Sequence, residues 1–212
     1  MAQEIEVRFL VFNLPSLTGL VPARIRQGYL QEKNVEIVPG SRNDSIIIRE
    51  AAGGKKAARF EYPIPSGELA QIFALSSRTI RIRKMDNMAF LTIKGKKVGA
   101  VAPEFEYSLP PADLPALFAL CGKRVLTKDR YALPGPDGKI WELDIFTGRH
   151  DGLVIAELEI LDEATPYMRP AWIGPDITAD RDLSNSTLAK ESMTKIMSRV
   201  AVYKTVSPLG GP

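Results

Sequence analysis

The first ten residues set the strongest constraint on what this chain can become. Charged and apolar residues alternate through Glu4-Ile5-Glu6-Val7-Arg8-Phe9. Successive side chains of a β-strand point to opposite faces, so Glu4, Glu6 and Arg8 share one face and Ile5, Val7 and Phe9 the other. One such strand alone reads as half-buried, with its charges in water. The pattern recurs, however. Arg81/Arg83, Thr92/Lys94, Glu104/Glu106, Lys128/Arg130, Glu142/Asp144 and Glu157/Glu159 are charged or polar pairs at i, i+2, each in a short run of strand character. A solvated face mixes Ser, Thr, Gln and isolated charges, whereas here one face of strand after strand carries paired carboxylates or paired cations. Paired carboxylates suit a divalent cation, and clustered Arg and Lys suit a polyphosphate. Strands closed into a barrel with the charged face inward would present both to one cavity.

Composition narrows the chemistry. The 212 residues are 45% hydrophobic and 25% charged with a formal net charge of +3, an ordinary balance that gives no argument for nucleic acid. No apolar run approaches the roughly 20 residues of a membrane-spanning helix, and the acidic start is not a signal peptide. A single cysteine excludes an internal disulfide, so a cytoplasmic location is expected. Cys121 ends an apolar segment and reads as buried filler. His150 is the only histidine, which argues against a His-based metal site or a Ser–His triad. A metal here must be held by oxygen, which points to magnesium, manganese or calcium.

The middle of the chain repeats. At an offset of 45, Phe60-Glu61-Tyr62 matches Phe105-Glu106-Tyr107, and Phe73-Ala74-Leu75 matches Phe118-Ala119-Leu120. Ile37/Ile82, Ile48/Ile93, Pro65/Pro110 and Leu69/Leu114 agree as well, so a tandem duplication over about 35–77 and 80–122 is expected. Each copy reads as strand, strand, turn, strand, short helix. Arg81 and Arg83 of the second copy stand where the first has Glu36 and Val38, and Glu104 stands where it has Arg59. The charged face of the first copy has decayed, so the second is expected to carry the chemistry. Further on, 125–131 and 140–146 read as a hairpin around Pro134-Gly135-Pro136-Asp137-Gly138, and 152–161 as a strand. The segment 162–182 is irregular, with Trp172 packed on the body, and 186–200 is helix-like.

The ordered set of these runs resembles the CYTH superfamily, the triphosphate tunnel metalloenzymes. Glu4-Ile5-Glu6-Val7-Arg8 looks like the family's opening ExExK strand. Gln27-Gly28-Tyr29-Leu30, Arg81-Ile82-Arg83, Phe90-Leu91-Thr92-Ile93-Lys94-Gly95, Glu104-Phe105-Glu106-Tyr107, Lys128-Asp129-Arg130-Tyr131, Trp141-Glu142-Leu143-Asp144 and Glu157-Leu158-Glu159 follow in the family's order. The resemblance implies an α+β protein built on an eight-stranded antiparallel tunnel with flanking helices. It implies one tunnel domain over 1–189; the duplication departs from the family pattern, and 31–78 is expected as an inserted first copy within that domain, with a C-terminal helix and tail over 190–212. It also implies metal-dependent hydrolysis of a small-molecule triphosphate or polyphosphate, with cyclisation of ATP or non-catalytic nucleotide binding as alternatives. No nucleic-acid or membrane partner is implied, and a homodimer is open. By position, Glu4, Glu6, Glu157 and Glu159, assisted by Asp144, would hold Mg²⁺ or Mn²⁺. Arg8, Arg81, Arg83, Lys94, Lys128 and Arg130 would grip phosphate oxygens, and Glu104, Glu106 and Glu142 would line the tunnel. Glu4, Glu6, Arg8 and Glu157 would form the catalytic centre. The family's lysine is Arg8 here; arginine adds bidentate geometry but cannot exchange a proton near neutral pH.

Overall fold

The computed structural model of the chain describes residues 2–40, 44–49, 59–65, 67–96 and 101–206, with side chains from residue 5 to residue 205. Its strands are β1 (Ala2–Leu10), β2 (Ala23–Leu30), β3 (Val35–Val38), β4 (Asp44–Arg49), β5 (Arg59–Ile64), β6 (Thr79–Met85), β7 (Met88–Lys94), β8 (Val101–Ser108), β9 (Val125–Pro134), β10 (Ile140–Thr147) and β11 (Val154–Glu159). Four helices accompany them: α1 (Glu68–Phe73), α2 (Leu114–Cys121), α3 (Asn185–Leu188) and α4 (Met193–Val206). Eight strands close an antiparallel barrel in the order β1-β11-β10-β9-β2-β6-β7-β8, and β3-β4-β5 form a separate sheet. The expected fold class is therefore observed. Strands β6, β7 and β8 enter the barrel, and β3, β4 and β5 stand outside its strand order.

The chain divides into two compact units, one built mainly from Arg26–Val98 and Ala102–Val125, the other from Glu4–Ile25 and Leu126–Pro212. In the first unit, β3-β4-β5-α1 and β6-β7-β8-α2 are two meanders whose strand registers match at an offset of 45. Val35 pairs with Ile48 as Ile80 pairs with Ile93, and Phe60 pairs with Ile48 as Phe105 pairs with Ile93. Both meanders bury their apolar face in one core that includes Ile46, Ile48, Ile72, Leu91, Ile93 and Leu117. The helix α2 follows Pro110 and Pro111 and buries Leu114, Leu117, Phe118 and Cys121, the spacing expected of one helical face. Burial pushes the Cys121 thiol up to about 12, which leaves it a packing residue, as expected. Gly28 of β2 is what lets α2 lie this close. A Cβ there would meet Cys121 Sγ at 2.7 Å and Phe118 Cδ1 at 3.2 Å. Gly28→Ala is expected to cost about 1–3 kcal/mol by overpacking, read as a lower denaturation midpoint.

In the second unit the apolar face of β1, β10 and β11 carries Phe9, Trp141, Leu143, Ala156 and Leu158, all buried. Trp172 covers it from the irregular 162–182 segment, its ring centroid 6.2 Å from that of Trp141. The helix expected over 186–200 is instead two helices. Ser184 caps α3 by accepting from Thr187 N, and Arg149 and His150 engage the carbonyls of Leu188 and Ala189 where α3 ends. Side chains that take those carbonyls stop the helix from continuing. It restarts after Ser192, whose hydroxyl accepts from Lys195 N. The strand expected over 152–161 is shorter because Gly152 turns the chain at φ +88°. No helix among the described residues is long and apolar enough to cross a membrane.

Candidate functional site: two ladders of paired charge

The expected alternation places Glu6 and Arg8 of β1, Glu157 and Glu159 of β11, Glu142 and Asp144 of β10, and Lys128 and Arg130 of β9 on one face of the second unit. Cross-strand register then decides who meets whom. Arg8 stands opposite Glu157, Glu157 opposite Glu142, Asp144 opposite Arg130, and Glu6 opposite Glu159. This is not a solvated face. Asp144 is 0% exposed, Lys128 3%, Arg8 4% and Glu157 5%. Charges so deeply buried persist only if they are paired and hydrogen-bonded, and these are.

Arg130 is the hub. Its Nε donates to Asp144 Oδ1 and its Nη2 to Asp144 Oδ2, both at 2.6 Å, and Nη2 also reaches Glu157 Oε2 at 2.6 Å. Its Nη1 donates to Glu142, and Lys128 Nζ donates to Asp144. Arg8 Nε donates to Glu157 Oε1 at 2.9 Å, and Arg8 Nη1 to the carbonyl of Leu183 at 3.1 Å. Arg8 Nη2 is buried without a hydrogen-bond partner among the described residues.

The electrostatics follow. Burial opposes the charge on Glu157, yet Lys128, Arg8 and Arg130 hold its carboxyl well below the usual range. Burial likewise opposes the charge on Arg8 and Arg130, and the carboxylates around them outweigh it, raising both. Lys128 goes the other way. Burial, then the neighbouring Arg130, lowers it despite Asp144 and Glu157. Glu142 is raised, first by burial and then by the like charges of Glu157 and Asp144, against the pull of Arg130.

The first unit carries a second ladder, on β6, β7 and β8. Arg81 stands opposite Thr92 and Thr92 opposite Glu106, while Lys94 stands opposite Glu104. Arg81 Nη2 donates to Thr92 Oγ1 at 3.1 Å and to Glu104 Oε1 at 3.4 Å, and Thr92 Oγ1 donates to Glu106 Oε2 at 2.9 Å. Arg83 Nη2 donates to Glu106 Oε2 at 2.7 Å, and Lys94 Nζ lies 3.0 Å from Glu104 Oε2. The corresponding face of the first copy is different in kind. Its pairs, Arg49–Glu36 and Arg59–Glu61, are about half-exposed on both sides.

Within the second unit, Arg8, Lys128, Arg130, Glu142, Asp144 and Glu157 form one bonded network, with Glu6 half-buried and Glu159 exposed beside it. Within the first unit, Arg81, Arg83, Lys94, Glu104 and Glu106 form another. The side chain of Glu4 lies outside the described residues. Thr92, fully buried at the centre of its ladder, was not singled out for a role; its i, i+2 relation to Lys94 was the available signal. Thr178, whose Oγ1 accepts from Arg8 N at 2.9 Å, and Leu183 carry no such signal, because only folding brings them to β1.

A closed eight-stranded antiparallel barrel whose strands carry buried cation–carboxylate ladders is the architecture of the triphosphate tunnel class. The sequence comparisons agree. Over 120 residues the chain is 38% identical to the inorganic triphosphatase of Acetivibrio thermocellus, spanning 56% of this chain and 76% of that protein. Over 70 residues it is 40% identical to the inorganic triphosphatase of Nitrosomonas europaea, spanning 32% of this chain and 46% of that protein. The crystal structure of an inorganic triphosphatase superposes with a TM-score of 0.54 at 26% identity, covering 90% of this chain and 97% of that one. No family model matches the chain. The chain belongs to the inorganic triphosphatase family.

Proposed function

We propose that this protein hydrolyses a triphosphate, inorganic tripolyphosphate first among candidates, with the aid of a divalent cation. The observation that carries the reading is the buried ladder of the second unit, in which the Arg8 Nη2 donor has no acceptor among the described residues. A buried N–H without a partner is costly, and a phosphate oxygen is a fitting acceptor. The names of the relatives support the same chemistry.

The acidic residues fit an oxygen-loving cation at one place in particular. Glu6 and Glu159 lie directly opposite on adjacent strands, where like charges repel unless compensated. No group of three His, Cys, Asp or Glu side chains spaced for a metal occurs among the described residues. Mg²⁺, however, is commonly held by only one or two carboxylates together with substrate phosphates. Glu6 and Glu159 would therefore hold Mg²⁺ or Mn²⁺, with Glu4 joining them by resemblance. When bound, the ion supplies charge neutralisation on the phosphates and polarises a water. Glu157 and Asp144 accept from Arg8, Arg130 and Lys128 here, and would be free to assist the ion once those cations turn to phosphate.

The chain's own residues then do the following. Arg8, Lys128 and Arg130 exchange carboxylate partners for the oxygens of the terminal phosphoryl group, whose charge grows towards the transition state. Arg81, Arg83 and Lys94 have the same chemistry and are proposed as further phosphate grips. Water attacks the terminal phosphorus, the bridging P–O bond breaks, and orthophosphate and diphosphate result. Glu142, the carboxyl with raised proton affinity, takes the proton released by the water; Glu157 is too acidic for that task.

Phosphate release from tripolyphosphate in Mg²⁺ and in Mn²⁺, compared with Glu6→Gln, tests the reading. It expects turnover that the substitution removes. Conversion of ATP to cyclic AMP without orthophosphate would overturn it. Lys128 gives a pH signature. With its proton affinity lowered, kcat/KM should fall on an alkaline limb below the ordinary lysine range of about 10.4. Lys128→Arg should move that limb up and out of the measurable range.

We also propose that 31–78 is the inserted first copy of a duplication within a tunnel domain spanning 1–189. Matching register in the two meanders supports it.

A further inference from the structure

The two copies of the meander are joined by an exchange that identifies how they pack. Tyr62 of β5 donates to Asp113 Oδ2, just ahead of α2, at 2.8 Å. Tyr107 of β8 donates to Glu68 Oε2, at the start of α1, at 2.5 Å. At the offset of 45, Tyr62 corresponds to Tyr107 and Glu68 to Asp113. Each copy's tyrosine thus reaches across to the other copy's acid. Repeats stacked by translation would make one of these contacts and not its converse. Reciprocal contacts, i to j′ and j to i′, are the mark of an isologous, two-fold interface.

The core between the copies obeys the same rule. Every apolar position of the first copy that enters it has its counterpart 45 residues on in the same core, as with Ile46/Leu91, Ile48/Ile93 and Ile72/Leu117. The opposite face agrees far less. Where the second copy has Arg81, Thr92 and Glu104, the first has Glu36, Ile47 and Arg59, and only Glu61/Glu106 is identical, with Arg49 at the place of Lys94. The first copy has kept what packs and lost most of what binds.

We infer that the first copy is an intramolecular partner. It occupies, about a pseudo-two-fold axis, the apolar face of the second copy on which a second molecule of this chain would otherwise dock. An interface between subunits has been taken inside one chain. This holds β6, β7 and β8, and with them Arg81, Arg83 and Lys94, in place at any protein concentration, where a dimer would loosen on dilution. The inference rests on the duplication proposed above and not on the catalytic reading, since neither test below measures turnover.

Excising Glu32–Ser76, so that Gln31 is followed by Ser77, bares the face. The ends are close, with Glu32 and Arg78 ion-paired at 3.7 Å. The excised chain is expected to double the number of chains per particle relative to the intact protein by sedimentation velocity. An excised chain that is folded by circular dichroism yet no more associated than the intact protein would overturn the inference. The second test uses the intact chain. Double-mutant cycles of Tyr62→Phe with Asp113→Asn, and of Tyr107→Phe with Glu68→Gln, are read as denaturation midpoints. The inference expects couplings of the same sign and similar size in both cycles. Coupling in one cycle and none in the other would overturn it.

Discussion

Replacing Asp144 by alanine is expected to destabilise the protein by about 3–5 kcal/mol, the usual cost of leaving buried charge without its partner. Asp144 is fully buried and takes hydrogen bonds from Lys128 and from two nitrogens of Arg130. The truncation strands a buried ammonium and removes two of the guanidinium's bonds. The penalty should also depend on pH, in a direction fixed by Lys128. Folding already lowers its proton affinity, so its charged form is the one the fold disfavours. That cost is fully present below its folded pKa. It is relieved as pH rises from there towards the unfolded value of about 10.4, because neutral lysine needs no counter-charge. Arg130 offers no such relief. Chemical denaturation of wild type and Asp144→Ala at neutral and alkaline pH tests both parts. A loss below about 1 kcal/mol, typical of exposed pairs, would show that the ladder does not act as a buried network.

The largest expected loss of turnover is at Arg130. Arg130→Gln should lower kcat by about 10²–10³-fold, the range seen when one well-placed donor to transition-state charge is removed. Arg130 already binds Glu142, Asp144 and Glu157 at once, so its guanidinium is held in place before any phosphoryl group arrives. Once these donors have passed from carboxylate to phosphoryl oxygens, they need no further reorientation as charge develops. Arg130→Lys should recover only part of the loss, since an ammonium keeps the charge without the planar fork. Steady-state kinetics separates the possibilities. A raised KM with unchanged kcat would mean that Arg130 binds the ground state and transition state equally, and that its catalytic role is wrong.

How far the molecule could be read before folding differs from part to part. The alternation in Glu4–Phe9 and in six later runs named the strands and said which side chains share a face, because a strand's period of two is a local property. The i, i+2 pairs therefore reported nearly the whole of both ladders. The offset of 45 was equally legible, and the structure carries it into matching strand registers. Two things were not legible locally. The split between α3 and α4 depends on Arg149 and His150 reaching carbonyls some 40 residues away. The tethering of Arg8 by Thr178 and Leu183 spans some 170 residues.

The sequence by itself determined the strand faces, the charge types and the match at an offset of 45, since all three are set by neighbours a few residues apart or by comparing the chain with itself. Only the tertiary structure decided that the charged face of the second unit is buried rather than solvated, since that depends on which surface the packed body leaves open to water. It also decided which carboxylate meets which cation, because cross-strand register turns a list of charges into the pairs Arg8–Glu157 and Arg130–Asp144. And it decided that β6, β7 and β8 enter the barrel while β3, β4 and β5 form a sheet of their own that shares their core. The two meanders have nearly the same strand pattern, and only strand pairing in the folded chain distinguishes their places.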